Sequence, residues 1–282
     1  MLGGVLCSDS YLSSPAKFRP IHLGGLFGAE LTLRGYGRGM EAPKPWLVAA
    51  AAPKEVRALI DGLDPRRAPP NPVPDVWCPV EIGAGDKRVE LLRTGVGKTA
   101  AGGAIGRWFD PARHAGVLNI GIAGALPGAW LDPGSVVLAD PSVMTDEGVL
   151  TPKGFITLGE MGFGADAEPI RPDDLSRAAL TGLVDLVGPV ATVSVCSGTD
   201  AWAGETARRA GLGQSPGLCE AMEGAAVGLA ARRIDPSARF AELRVISNST
   251  GDRERQSWDL DLALGRLSAL IAPAVRALGA KV

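Results

Sequence analysis

The chain reads as one α/β domain from about Trp46 onward, with a central, mostly parallel or mixed sheet flanked by helices. Three observations carry that expectation. Short apolar runs alternate with longer amphipathic or small-residue stretches, as strands and helices do when taken in turn. No fixed-period repeat and no linker interrupts the alternation after residue 46. The 282 residues are 46% hydrophobic and 21% charged, the balance of an ordinary globular chain with one large domain or two small ones.

The elements follow in order. "WLVAAAA" is an apolar strand, and Pro53 opens the helix "PKEVRALIDGL", where a proline in the first turn loses no intrahelical bond. "CPVEIGAGDKRVELLRTG" gives two strands joined at a Gly-Asp turn, and "KTAAGGAIGRWF" is a small-residue helix. "GVLNIGIAG" and "GSVVLAD" are strands, "DDLSRAALTGLV" a helix and "PVATVSVCSG" a strand. "AWAGETARRAG" and "EGAAVGLAARRI" are helices, and "FAELRVISN" is a strand. The closing helix, "WDLDLALGRLSALIAPAVRAL", is apolar on one face and has Pro273 as a candidate kink.

Residues 1–45 stand apart, because periodicity is absent and glycine is frequent. They place Cys7 after small residues but lack the basic start and apolar core of a secretion signal. We expect a poorly structured, dispensable extension, with Met40 as an alternative start. The domain then occupies residues 46–282.

Bulk chemistry excludes several classes. A net charge of -2 with interspersed signs gives no electrostatic footing for nucleic acid or an anionic membrane. No apolar run reads as long enough to span a bilayer. The four cysteines, Cys7, Cys78, Cys196 and Cys219, have no metal-ligand spacing and read as reduced cytoplasmic thiols. With only two histidines, His22 and His114, acid–base work falls to carboxylates.

Ligands of such sheets collect at the carboxyl ends of strands. Glu55 follows the first strand, Gly97 lies in "TGVGK", and Gly124 lies in "NIGIAGAL". "CSGTDAW" carries Trp202, "CEAMEGAA" carries Met222 and Glu223, and "RVISNSTGDRER" carries Asn248 and Asp252. Taken singly, each has an ordinary explanation: a glutamate favoured at a helix start, a methionine filling core, a glycine in a tight turn, an asparagine forming one. "TGVGKTA" is a poor triphosphate loop, since Leu92 stands where the first glycine is needed.

Combined and in order, "AAAAPKEV", "TGVGKTAA", "NIGIAGAL", "LDPGSVVLAD", "VSVCSGT", "CEAMEGAAVGLAA" and "LRVISNSTGDRE" resemble the nucleoside phosphorylase and nucleosidase superfamily. Within it the chain looks most like the futalosine hydrolases of menaquinone biosynthesis, on Asn248 after Ile246-Ser247 and on the tail "GDRERQSWDL". The resemblance implies a three-layer α/β/α fold with a central mixed sheet, no cofactor, no metal and a homodimer or higher homo-oligomer. It implies that Glu223 holds the ribose hydroxyls, with Met222 packed on the sugar, and that Glu55 places the water. Asn248 would then donate to the N7/O6 edge of a 6-oxopurine, which an ionised Asp could not do. Either hypoxanthine leaves as a hydrogen-bonded anion, or an acid such as Asp252 protonates it. Arg253, Arg255 and Trp258 are the candidates for the benzoate group at the 5′ end of futalosine, the alternative being solvated surface charges. The loop from Val143 to Phe155 is the candidate partner contribution to that pocket. The rival readings are a purine nucleoside phosphorylase, a methylthioadenosine/adenosylhomocysteine-type nucleosidase, and a catalytically silent nucleoside-binding module.

Overall fold

The computed structural model describes residues 43–66, 72–83, 88–164, 168–211 and 216–279. The expectation for residues 1–45 falls almost wholly outside them. In chain order the elements are β1 (Trp46–Ala50), α1 (Pro53–Leu63), β2 (Val80–Ile82), β3 (Val89–Arg93), α2 (Lys98–Trp108), β4 (Val117–Ala125) and β5 (Val136–Met144). A hairpin, β6 (Gly148–Thr151) and β7 (Gly154–Thr157), is followed by α3 (Asp174–Thr181), β8 (Leu186–Thr192), α4 (Asp200–Ala210) and β9 (Cys219–Ala221). Next come α5 (Gly224–Ile234), β10 (Phe240–Ser249), a 3-10 turn (Arg253–Arg255) and α6 (Leu260–Gly279).

The architecture is three-layer α/β/α around a mixed sheet, as expected. Strand order is β10-β5-β8-β9-β4-β1-β3-β2, and β10 also pairs with β4. The second pairing closes β4, β10, β5, β8 and β9 into a ring, a feature the sequence did not reveal. Closure falls at the end of β4, where Gly124 and Ala125 pair antiparallel with Glu220 and Cys219 of β9. Alternation within β1 shows how the layers form. Val48 and Ala50 face α1, α3 and α6 in one core, whereas Leu47 and Ala49 face α2 and α5 in another.

α1 buries Val56, Leu59, Ile60 and Leu63, a one-face spacing, against α6. Gly62 lets the two helices touch, since a Cβ there would lie 2.0 Å from the Ser268 carbonyl. α6 is long and apolar enough to cross a membrane by length and composition, which corrects the expectation that no such run exists. Its Leu267, Leu270, Ile271 and Ala274 pack instead in the core shared with α1. Pro273 lies within the helix, which runs on to Gly279.

Candidate active site

Glu55 sits in the first turn of α1, and its position follows from local folding. Ala52, the residue before the helix, has no side-chain oxygen to cap it. Glu55 turns back so that Oε2 accepts the Ala52 N–H at 2.8 Å. Its Oε1 accepts the Ile122 N–H of β4 at 2.8 Å. Gly121 makes this approach possible, because a Cβ there would lie 2.4 Å from Glu55 Oε1 and 2.8 Å from Arg244 Nη1.

Glu223 lies in the turn between β9 and α5 and is only 5% exposed, as is Glu55. Oε1 accepts the Gly97 N–H at 3.1 Å, and Oε2 accepts the Met222 N–H at 3.3 Å. Gly97 holds φ at 95°, a left-handed conformation that glycine adopts without strain. Arg244 Nη1 stands 3.5 Å from Glu223 Oε2. Burial raises the Glu223 carboxyl above the ordinary carboxylate range; Arg244 opposes that shift and Glu55 adds to it.

Arg244 is fully buried. Its Nε donates to Glu242 Oε1 at 2.7 Å, and its Nη2 donates to Asn119 Oδ1 at 2.8 Å. Burial disfavours its charge, yet Glu242, Glu223 and Glu55 outweigh that and hold the guanidinium protonated. Glu242 Oε2 accepts from the Ser142 hydroxyl. Sequence reasoning assigned no role to Arg244, Glu242, Asn119 or Ser142. A signal existed for two of them: Glu242 and Arg244 are two apart in an otherwise apolar strand, and so share one face.

Asn248 is the penultimate residue of β10, and a β-bulge before it changes the register with β4 from Ile246↔Ala123 to Asn248↔Gly124. The extra residue re-aims the side chain. Asn248 Oδ1 accepts from Ser247 Oγ at 2.9 Å, and Nδ2 donates to the Ser249 carbonyl at 2.9 Å and to Gln256 Oε1 at 3.4 Å. Gly124 lies directly against it, with a built Cβ only 3.3 Å from Nδ2. A cavity of about 480 Å³ opens beside this pair, lined by Ala125, Leu126, Trp130, Asp200, Ser249 and Thr250. A larger one, about 560 Å³, lies between α1 and α6 beside Lys54 and Arg57; the lining of neither includes Glu55, Glu223 or Glu242.

The remaining candidates form a rim. Asp252 caps the 3-10 turn by accepting the Glu254 N–H at 3.1 Å, and it pairs with Arg255 at 3.4 Å. Its own N–H donates to Asp200 Oδ1 at 3.2 Å, tying the turn to α4. Arg255 is 84% exposed at its side chain, and Arg253 and Trp258 are exposed as well. Trp258 makes a backbone bridge to Asn248, so residues 251–258 arch over the end of β10. Trp202, in the first turn of α4, stacks on the Arg209 guanidinium at 4.8 Å, with Phe155 of β7 also stacked on that guanidinium at 4.2 Å. Glu55, Gly97, Met222 and Glu223 thus meet around Arg244, with Gly124 and Asn248 adjoining. Among the described residues, no group of three His, Cys, Asp or Glu side chains is placed to hold a metal ion.

Residues 47–276 match the family described as the phosphorylase superfamily. A futalosine hydrolase of Acidothermus cellulolyticus is 34% identical over 231 residues, covering 80% of this chain and 88% of that protein. One from Streptomyces coelicolor is 34% identical over 64% of this chain and 75% of its own length. Among solved structures, a 5′-methylthioadenosine/S-adenosylhomocysteine nucleosidase from Colwellia psychrerythraea in complex with adenine superposes with a TM-score of 0.65. The identity is 20%, and the match covers 85% of this chain and 98% of that one.

Proposed function

This chain belongs to the phosphorylase superfamily, and we propose that within it the protein hydrolyses the N-glycosidic bond of futalosine. The products are hypoxanthine and dehypoxanthine futalosine, and the step serves menaquinone biosynthesis. The observation that carries the chemistry is the pair Glu55 and Glu223, both buried and set about Arg244. The choice of substrate is supported by the 34% identity to a futalosine hydrolase over 88% of that protein.

Cleavage of a purine–ribose bond passes through a sugar cation. Glu223 keeps acceptor capacity beyond its two backbone donors and suits two neighbouring ribose hydroxyls. Its charge, held in a buried setting, favours the developing cation. Glu55, fixed at both oxygens by backbone N–H groups, suits the task of orienting and deprotonating water. The cations at this floor already carry carboxylate partners: Arg244 has Glu242 and Glu223, and Lys98 has Asp146 at 2.6 Å and Glu147 at 2.9 Å. That arrangement favours water over phosphate as nucleophile. Asn248 offers one N–H donor to a 6-oxopurine edge when Gln256 gives way to the base, its other N–H staying on the Ser249 carbonyl.

The test is incubation with futalosine, inosine and methylthioadenosine in phosphate-free, chelator-treated buffer, with chromatography of the released base and sugar. Hypoxanthine and free sugar from futalosine are expected. Sugar 1-phosphate formed only when phosphate is added would make the protein a phosphorylase, and adenine release from methylthioadenosine alone would overturn the substrate.

A further inference from the structure

We propose that Glu242 is a positioning residue of this site: it aims the Arg244 guanidinium between Glu55 and Glu223 and governs the acid limb of turnover. The inference rests on the nucleosidase reading and adds a residue to it. Glu242 has no exposed surface, so it cannot touch substrate and must act through another group. Its Oε1 accepts Arg244 Nε at 2.7 Å, and Asn119 Oδ1 takes Nη2 at 2.8 Å. A planar guanidinium held at these two points has its third nitrogen, Nη1, fixed in direction. Nη1 lies 3.5 Å from Glu223 Oε2 and on the Gly121 side, where Glu55 Oε1 also stands. Ser142 fixes Glu242 from behind, through Oε2. Gly224 at the start of α5 leaves room for the carboxylate, since a Cβ there would fall within 2.1 Å of both its oxygens.

The charge count gives the arrangement its consequence. Three buried carboxylates, Glu55, Glu223 and Glu242, surround one guanidinium. The charged and titratable groups around Glu223 are Arg244 and Glu242 from β10, Glu55 from α1, and Cys196 from the loop after β8. Around Glu242 they are Arg244, Glu223 and the buried Cys219 of β9, whose thiol is pushed up by burial first and by Glu242 next. Glu242 therefore has two effects of opposite sign on Glu223. It positions the cation that favours the ionised form, and its own negative charge disfavours that form.

Two variants separate these effects. Glu242→Gln keeps the acceptor for Nε and removes the charge. The acid limb of kcat/KM should move to lower pH by roughly half a unit to one unit. Glu242→Asp keeps the charge but shortens the reach by one methylene, releasing the guanidinium. The turnover number should fall about tenfold with KM little changed, and the acid limb should move to higher pH as the cation that favours ionised Glu223 is released. The protonated-carboxyl infrared band, titrated in parallel, reports the same ionisation without turnover. A downward shift of its midpoint in Glu242→Gln is expected. Wild-type kcat and unshifted midpoints in both variants, whatever their melting temperatures, would overturn the proposal. If Glu242→Gln does not fold, Glu242→Asp decides alone, through the upward shift of its midpoint together with kcat. If the wild-type protein cleaves no nucleoside yet the infrared midpoint shifts, the nucleosidase reading fails and the positioning of Arg244 by Glu242 stands.

Discussion

At the floor of the site, Glu55 and Glu223 each take two backbone N–H groups, from Ala52 and Ile122 and from Gly97 and Met222. At the rim, Asp252, Arg253, Arg255 and Trp258 are partly or fully exposed, and the ion pair between Asp252 and Arg255 spans only three residues. The floor is over-determined by elements far apart in sequence, so its geometry exists before any substrate arrives. The rim is a short local turn whose charges are screened by water and whose side chains are free to adapt. Preorganised charge belongs where a transition state must be stabilised, and adaptable charge where a variable group must be met.

Breaking the floor should therefore have the largest effect. Glu223→Gln keeps the shape and removes the charge, and kcat should fall by about a hundredfold or more with the fold intact. Wild-type rates would place Glu223 outside the chemistry. Glu55→Gln should lose activity to a similar extent, and both variants should melt earlier than the wild-type protein, since each carboxylate accepts one backbone N–H on each oxygen. An amide has one acceptor oxygen where two backbone donors need satisfying, and an unpaired buried N–H costs about 1–3 kcal/mol. Wild-type melting temperatures in both variants would contradict the role of these carboxylates in satisfying buried backbone donors. In the wild-type protein the sign of the Glu223 shift fixes the pH behaviour. Its carboxyl is raised above the ordinary value of 4.5, by burial first. Activity should thus be lost, as pH falls, at a midpoint above 4.5.

The floor was also the more legible region. Glu55, Glu223 and Asn248 stand at strand ends, where an α/β chain places its chemistry. Arg244 and Glu242 were visible only as two charges inside the apolar run of β10. Their partners Asn119 and Ser142 lie a hundred residues or more away, at distances that no local pattern encodes. Strands and helices from Trp46 followed from alternation, but β9 has only three residues, too few for a period to register. The ring closure depends on that strand, and the bulge at Ser247 depends on pairing with β4. The β6–β7 hairpin is exposed along most of its length and so lacks the apolar alternation of a buried strand.

Asn248 joins the two regions, being buried like the floor and bonded to Gln256 near the rim. Asn248→Asp should have an intermediate effect. An ionised carboxylate there faces the Ser249 carbonyl and the acceptor edge of a 6-oxopurine, so kcat/KM for hypoxanthine nucleosides should fall about tenfold or more at neutral pH. Part should return as pH falls and the carboxyl becomes able to donate. An adenine nucleoside should suffer less, because a protonated Asp meets both its acceptor and its donor. The deciding quantity is the 6-oxo to 6-amino ratio of kcat/KM in each protein. An unchanged ratio would reduce Asn248 to a turn former at the end of β10.

The rim should yield the smallest effect, and its size tests whether it recognises anything. Arg255 is 84% exposed at its side chain and already paired with Asp252 at 3.4 Å. Exposed pairs are worth about 0–1 kcal/mol, so Arg255→Ala should leave the melting temperature nearly unchanged. If the rim meets the benzoate of futalosine, KM for futalosine should rise by up to about fivefold, the equivalent of about 1 kcal/mol. Inosine, which lacks that carboxylate, should show no change, and added salt should shrink the futalosine effect by screening it. Arg253→Ala should behave in the same way if both arginines share the contact. Equal KM changes for futalosine and inosine would mean that the turn acts by shape alone. A loss far beyond fivefold would mean that the rim closes over the substrate and buries the pair, which would erase the contrast with the floor.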